Sequence, residues 1–518
     1  MQLRGFPFKI VSFGFKYLGI QVRDRFADFF ENNFVPLLDQ IQKDFQRWSL
    51  LPLSLVARVN LVKMNILPKL SYLFQCIPVF LPQSFFIKLD KSISEFIWNG
   101  KVPRLRKELL QRPKTLGGLA LPNLRFYYWA SILRVIQLWI SLEGTPVPAA
   151  WLRMEMFSAN PASLTALIHA PLSFSPSPFC NNILVKSTFK IWKQFRRYFG
   201  LQSFSFLAPL SANPVFLPSL IDGAFSLWSD CGIKAFRDMY ISGMFASFQQ
   251  LSKKYHLPKQ HFFRYLQVRS FIRNHSPNFP SLPEASLIDS FLIPFPTIKG
   301  AISRLYNLIY SLQLTPQHKI KTQWEEDLGE EISEELWGAI LRRVHSSSIC
   351  ARHGLTQCKI LHRAHLTRVR LSKIYKDVDP LCVRCHQAPA THVHMFWSCP
   401  LLFNFWTQIF NSISVCTKVQ FDPTAFTALF GVLPPTLQLP KYKADFVAFV
   451  SFLARHLILL RWKSSVPPSH SSWIKDILQF VKLEKVRCSI HGSLSKFNKT
   501  WDPFFAHVEG LTFTAIPE

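Results

Sequence analysis

The sequence predicts a mainly α protein with a short β-hairpin at its N-terminus. Two observations carry this prediction. From residue 32 onward apolar residues recur at spacings of three and four, whereas strict alternation is confined to the first 20 residues. In that opening stretch Phe6, Phe8 and Ile10, then Phe13, Phe15 and Tyr17, alternate with smaller or polar residues around a turn expected near Gly14. A lone hairpin cannot make a domain, so it reads as the edge of one. Residues 33–48 form an amphipathic helix through Phe34, Leu37, Leu38, Ile41, Phe45 and Trp48. Residues 53–67 continue with Leu55, Val59, Val62 and Ile66, before Pro68 and Pro78 punctuate the chain. A third helix over 82–98 uses Phe85, Phe86, Leu89, Ile93, Phe96 and Ile97. A basic loop (Lys101, Arg104, Arg106, Lys107) and a Gly117–Gly118 turn lead to a helix carrying Tyr127, Tyr128 and Trp129 and ending near Trp139.

Beyond this helical unit the composition shifts. Residues 156–221 contain no Asp or Glu, and within them Lys186, Lys190, Lys193, Arg196 and Arg197 are interleaved with Phe189, Trp192, Phe195, Tyr198 and Phe199. Pro/Ser/Asn-rich flanks read as loops. A similar basic–aromatic blend recurs over 253–275. The main acidic segment, 323–337, reads as a solvated helix face with Trp324, Leu328 and Ile332 turned inward. Residues 342–376 then hold nine Lys/Arg and no acid. From 400 onward the chain is helical and apolar, with a buried helix over 446–462 and an amphipathic one over 473–487.

Across all 518 residues, 60 Lys+Arg face 31 Asp+Glu, a formal charge of +29. Such a surplus repels itself unless a polyanion is the partner; nucleic acid is the default, with an acidic membrane face as the rival. The 49 Phe, 14 Trp and 12 Tyr mostly fill cores, but beside cations they also offer bases a stacking surface. No compact apolar run with a cleavage site opens the chain. Its charge-poor stretches are broken by Pro161, Pro171, Pro176 and Pro178, or by Pro209, Pro214 and Pro218. The apolar run 446–460 is 15 residues long and contains Arg455 and His456, where a span needs about 20 apolar residues. The expectation is a soluble intracellular protein, nuclear or cytoplasmic, with neither a membrane nor a small molecule as partner. Ten Cys, three of them close together, suit a reducing compartment and one metal site rather than a disulfide framework.

The sharpest motif is CVRCHQAPATHVHMFWSC. Cys382 and Cys385 form a CxxC knuckle, His394 follows after eight residues, and Cys399 after four more. Four such ligands satisfy Zn²⁺ in a closed tetrahedron with no open position, so a structural zinc site is expected. His386 and His392 are alternative third ligands, disfavoured only by spacing; a metal-free loop and a redox CxxC are the competing readings. Ahead of the knuckle lies the basic run Arg352, Lys359, Arg363, Arg368, Arg370, Lys373 and Lys376, with Leu361, Leu366 and Ile374 expected to face a core. A stripe that neutralises phosphates releases counterions and binds nucleic acid with steep salt dependence. His362 and His365, at i and i+3 on a helix, read as phosphate or core partners rather than metal ligands. The chain has no Asp-Asp pair, and Asp377 with Asp379 makes a lone DxD at an expected turn. Two-metal nucleotidyl transfer needs paired carboxylates, so no catalytic residue is assigned.

Several strings together resemble a known family. FKYLGI, the stretch from NNF through LLDQIQKDFQRWSLLPLSLVARVNLVKMNILPKLSYLFQCIPVFLP, FIWNGKVPR and GGLALPNLRFYYWA resemble the segment just downstream of the reverse-transcriptase palm in LINE-type non-LTR retrotransposons. FRYLQVRSFI, the Cys/His knuckle, ARHLILLRWKSSVPPS and WIKDILQFVKLEKVR are similar to the same family's C-terminal region. The resemblance implies a palm-edge hairpin remnant over 1–20, with Lys16, Tyr17, Leu18 and Gly19 near the primer grip, and a thumb-like helical unit over 21–150. A helical connector over 151–340 and a C-terminal zinc-knuckle domain over 341–518 would follow. It places the thumb cations Arg47, Arg58 and Lys63 near a template–primer duplex. The family's palm carries an aromatic-x-Asp-Asp motif that this sequence lacks. The expectation is therefore a non-catalytic fragment that binds RNA or an RNA–DNA duplex. Two alternatives stand beside it: part of an active RNA-directed DNA polymerase whose palm lies upstream or in another chain, and an inert truncated relic whose unpaired edges aggregate.

Overall fold

A computed structural model describes residues 14–142, 149–175, 177–276, 278–297, 299–313, 318–420, 422–434 and 437–513. Over these residues the protein is mainly α, with two short antiparallel hairpins. The first pairs Phe15–Tyr17 with Ile20–Val22 and turns through Leu18 and Gly19, at φ 46° and 87°. Two consecutive positive φ values give the tight turn whose twist matches the strands. The described turn follows Tyr17, and the stretch that a turn near Gly14 would join to it lies outside the described residues. Phe6, Phe8, Ile10 and Phe13 lie outside the described residues. The buried Asn33 carboxamide accepts from the Gln21 N–H (2.8 Å) and donates to the Gln21 carbonyl (3.0 Å), standing in for a third strand.

The fold divides into two compact units, each drawn from separated stretches of chain: 1–47, 64–93 and 123–314 in one, 48–63, 94–122 and 315–518 in the other. The axis of the first is the helix Leu124–Leu142, whose buried residues lie on nearly every side. A helix that is apolar all round belongs at the centre. The helices Leu67–Cys76, Ile183–Tyr198 and Ala301–Gln313 pack on it. Its polar groups find internal partners. The Tyr128 hydroxyl donates to the Val79 carbonyl (2.8 Å) and accepts from the Leu81 N–H (3.1 Å), while the Gln137 amide donates to the Phe291 and Ile293 carbonyls. A separate aromatic core within this unit gathers Phe216, Phe225, Trp228, Phe236, Val268 and Ile272.

The second unit centres on the helix Lys441–Leu460, which buries nearly every residue from Phe446 to Ile458. Arg455 is fully buried there, its guanidinium donating to the Gln357 side-chain oxygen and the Ala428 carbonyl. Burial lowers its pKa to about 9. Among the described residues, no helix is long and apolar enough to cross a membrane. The acidic segment is not one helix: His318–Leu328 ends before Gly329, and Ser333 caps a new helix, Glu334–Ser346. Trp324 and Ile332 are buried as expected. The Gly117–Gly118 turn is clasped by this unit's helices, the His345 and His362 rings each meeting a carbonyl of the pair (2.6 and 3.3 Å). Gly117 has φ +74°, and a Cβ on Gly118 would lie 2.1 Å from the Arg112 carbonyl oxygen.

Candidate metal centre and basic face

Each ligand is positioned by a local backbone device. Leu381 bridges Pro389, and the Cys382 N–H donates to the Ala388 carbonyl (2.9 Å), so the CxxC lies in a tight loop. His386 closes it, its N–H donating to the Cys382 carbonyl and its φ standing at 54°. The other pair sits on a single π turn, His394–Ser398. The Cys399 N–H donates to the His394 carbonyl five residues earlier (3.2 Å), the bond that defines a π turn and sets the two ligand residues one above the other. Thr391 holds the start of that turn by accepting from the His394 N–H (3.1 Å).

The donor atoms of Cys382, Cys385, His394 and Cys399 all lie within 4.8 Å of one another. Cys385 Sγ stands 3.3 Å from His394 Nε2, and Cys382 Sγ stands 4.0 Å from Cys399 Sγ. A tetrahedral zinc with Zn–S of about 2.3 Å and Zn–N of about 2.0 Å separates such atoms by roughly 3.5–3.8 Å. The cluster could hold a metal ion, and its geometry is compatible with zinc. Burial and Arg384 lower the His394 pKa, which leaves the ring neutral and able to ligate. Burial pushes the Cys399 thiol up to about 11. For Cys385 burial also raises the pKa, but the backbone N–H donors of Gln387 and Ala388 together with the Cys382 and Cys399 side chains bring the net shift downward.

Arg384, inside the knuckle, was not singled out from sequence. Its side chain is buried, donates to the Met395 carbonyl (2.6 Å), and leaves Nη1 without a hydrogen-bond partner. A buried, half-satisfied cation is costly beside neutral thiols. Beside three thiolates on a divalent ion, whose charges sum to minus one, it is compensated, so this residue also fits a metal centre. His392 does not join the cluster. It is buried, its pKa is lowered to about 3 by burial and by Arg363, His365 and Arg370, and its Nε2 is unpartnered. His386 stays at the left-handed turn position and does not join the cluster either.

The knuckle rests on an aromatic layer. Phe396 packs against Trp462 (centroids 5.2 Å apart) and His365 (6.2 Å), and the Trp462 indole donates to the Leu366 carbonyl (2.9 Å). Contrary to the helical reading of His362 and His365, the helix Ala351–Leu361 stops before them; His362 caps it and serves as a core partner of Gly117. Next, Thr367 caps the short helix Arg368–Ser372. Arg368 donates to the Asp379 carbonyl (2.8 Å), and the Asp379 carboxylate accepts from the Leu381 N–H (2.9 Å). The second Asp of the DxD thus ties the basic segment to the CxxC loop.

The cations expected from sequence divide sharply. Arg370, Lys373 and Lys376 are exposed, as is Arg352. Arg363 pairs with Asp327 at 2.5 Å and lies over Trp324, and Lys359 is half-buried with its pKa lowered by burial and Arg104. Arg58 is buried, donating to the Phe96 carbonyl (3.0 Å) and covering the Phe96 ring. Arg196 is buried, donating to the Ala170 (2.6 Å) and Leu201 (3.1 Å) carbonyls. Lys193 donates to the Phe174 carbonyl, and Lys190 lies 4.0 Å from the Phe80 ring centroid. Arg47 and Arg197 are exposed, Arg47 standing 3.9 Å from Asp44; Lys63 and Lys186 are half-buried. Arg58 and Arg196 are therefore not among the cations presented to solvent. Ile374, expected in a core, is 59% exposed and Tyr375 is 55% exposed, because the helix ends at Ser372 and its periodicity no longer applies. No model of a known protein family matches the chain.

Proposed function

We propose that this protein binds nucleic acid through the segment 368–376, exposed at Arg370 and from Lys373 to Lys376, held in place by a structural zinc at Cys382, Cys385, His394 and Cys399. The observation that carries the reading is Arg370, Lys373 and Lys376 standing exposed around the exposed Tyr375, on a segment tied through Asp379 to the metal-ligand loop. Cations neutralise phosphates, and an exposed ring offers an unpaired base a stacking surface. The zinc would act as a brace, since four protein ligands leave no position for a reacting water. The resemblance to the region downstream of the palm in LINE-type reverse transcriptases supports the same reading and names RNA or an RNA–DNA duplex as the ligand. On this reading the chain alone performs no nucleotidyl transfer.

The test uses the full chain. Metal analysis should find one zinc per chain, and RNA affinity should fall linearly on a log–log plot against salt. A metal-free protein whose binding ignores salt would overturn the proposal. In a template-extension assay no metal-dependent DNA synthesis is expected; synthesis would overturn its non-catalytic part.

A further inference from the structure

The first unit contains a second basic–aromatic feature that the knuckle reading does not use. The helices Phe248–Tyr255 and Phe262–His275 are joined by a turn that His256 starts at φ 55° and Pro258 stiffens. They line a groove of about 780 Å³. Phe262, Tyr265, Leu266 and Arg269 share one face of the second helix, at the spacing of successive turns, opposite Phe248 and Lys253 of the first.

Three rings form the groove's apolar wall. Phe262 meets Phe248 edge-on at 5.4 Å and stacks near Tyr265 at 6.1 Å, yet it remains 50% exposed. Tyr265 is anchored by its hydroxyl, which donates to the Ala246 carbonyl (3.0 Å). Lys253, Lys259 and Arg269 supply exposed cations around the rings, and among the described residues no carboxylate lines the groove. Two of the acids flanking this stretch are engaged elsewhere: Arg264 grips both oxygens of Asp222 (2.6 and 3.2 Å), and Asp238 accepts from the Lys234 and Ala235 N–H groups.

We infer that this groove is a binding site for single-stranded nucleic acid, distinct from the knuckle, with a base stacked on Phe262 and phosphates on Lys253, Lys259 and Arg269. Charge complementarity selects a polyanion, and the exposed ring selects one with unpaired planar bases; a duplex keeps its bases stacked on each other. Base–aromatic stacking is tolerant of sequence, so little discrimination among bases is expected.

The probe is a labelled octauridylate, measured by anisotropy on the full chain in a Lys373→Ala/Lys376→Ala background that removes two knuckle-side cations. Phe262→Ala should weaken binding by about tenfold or more. Lys259→Glu/Arg269→Glu should do likewise, and Phe262→Tyr should retain binding. An octamer of abasic residues should bind much more weakly than octauridylate. Crosslinks from 5-iodouridine should map to 248–269. Equal binding of the abasic octamer, equal displacement by polyglutamate of the same charge, or an unaffected Phe262→Ala would each overturn the inference. Crosslinks confined to 365–400 would overturn it while leaving the knuckle reading intact.

Discussion

The helix Ile183–Tyr198 and the segment 368–376 are both rich in cations beside aromatic or apolar residues, and the fold treats them in opposite ways. In the helix, Val185, Phe189, Trp192 and Phe195 are buried, and Arg196 goes in with them because two backbone carbonyls await its guanidinium. In the segment, a helix of five residues ends at Ser372, and Lys373, Ile374, Tyr375 and Lys376 follow it into solvent. The difference lies in length. Sixteen residues make a stripe long enough to dock, and a docked helix carries its cations to whatever lies beneath. A segment too short to dock keeps its aromatic outside.

The largest expected effect comes from the proposed zinc brace under the second region. Cys399→Ser should reduce bound metal from one per chain to near zero and lower the thermal midpoint measured by calorimetry. Structural zinc contributes about 10–16 kcal/mol of apparent folding free energy in small metal-folded domains. A variant that keeps its metal would show that Cys399 is not a ligand.

Arg196→Met tests the first region. It leaves the Ala170 and Leu201 carbonyls without their donor, and each unsatisfied buried group costs about 1–3 kcal/mol. Urea unfolding should therefore show a loss of about 2–4 kcal/mol, with the salt slope of RNA binding unchanged. A changed slope would mean that Arg196 reaches nucleic acid after all, and the contrast between the regions would fail.

Acid should weaken the second region. His365 lies beneath the basic segment between Phe396 and Trp462, its pKa lowered to about 4 by burial, Lys359 and Arg104. The folded state therefore binds fewer protons than the unfolded one below pH ~6.5, and the stability this ring contributes above that pH is lost as pH falls toward 4. His365→Phe should shrink the stability difference between pH 7 and pH 5 by about 2 kcal/mol. An unchanged difference would show that the ring is not held neutral.

How much of this was legible in the sequence follows from the range of each interaction. The helical periodicities over 33–48 and 82–98 are local, and so are the CxxC and the His-x4-Cys pair; all could be read directly. Pairings across long separations could not. The acid-free window 342–376 looked unbalanced, yet Asp445 reaches Arg343 (2.6 Å) and Asp327 reaches Arg363. The burial of Arg58 was equally hidden, because its acceptor is a backbone carbonyl 38 residues away, which no residue type announces. Arg384 did carry a signal, a cation between two cysteine ligands, but spacing alone gives it no role. The two units were beyond periodicity altogether, since neither is one continuous stretch of chain.

The smallest effect on stability belongs to the pair on which the contrast depends most. Lys373 and Lys376 are exposed, and neither is in an ion pair among the described residues. Lys373→Ala/Lys376→Ala should leave the urea midpoint within about 0.5 kcal/mol of the parent protein, as surface changes do. Each lysine that neutralises a phosphate contributes about one unit to the slope of log affinity against log salt, so the double variant should flatten that slope by about 2. Arg196→Met and the double lysine variant therefore form a crossed pair: one moves stability and spares the slope, the other moves the slope and spares stability. If the lysine pair left the slope untouched, the exposed segment would be an ordinary solvated surface, and the excess positive charge of this chain would have to act elsewhere, with the groove at Phe262 the next place to look.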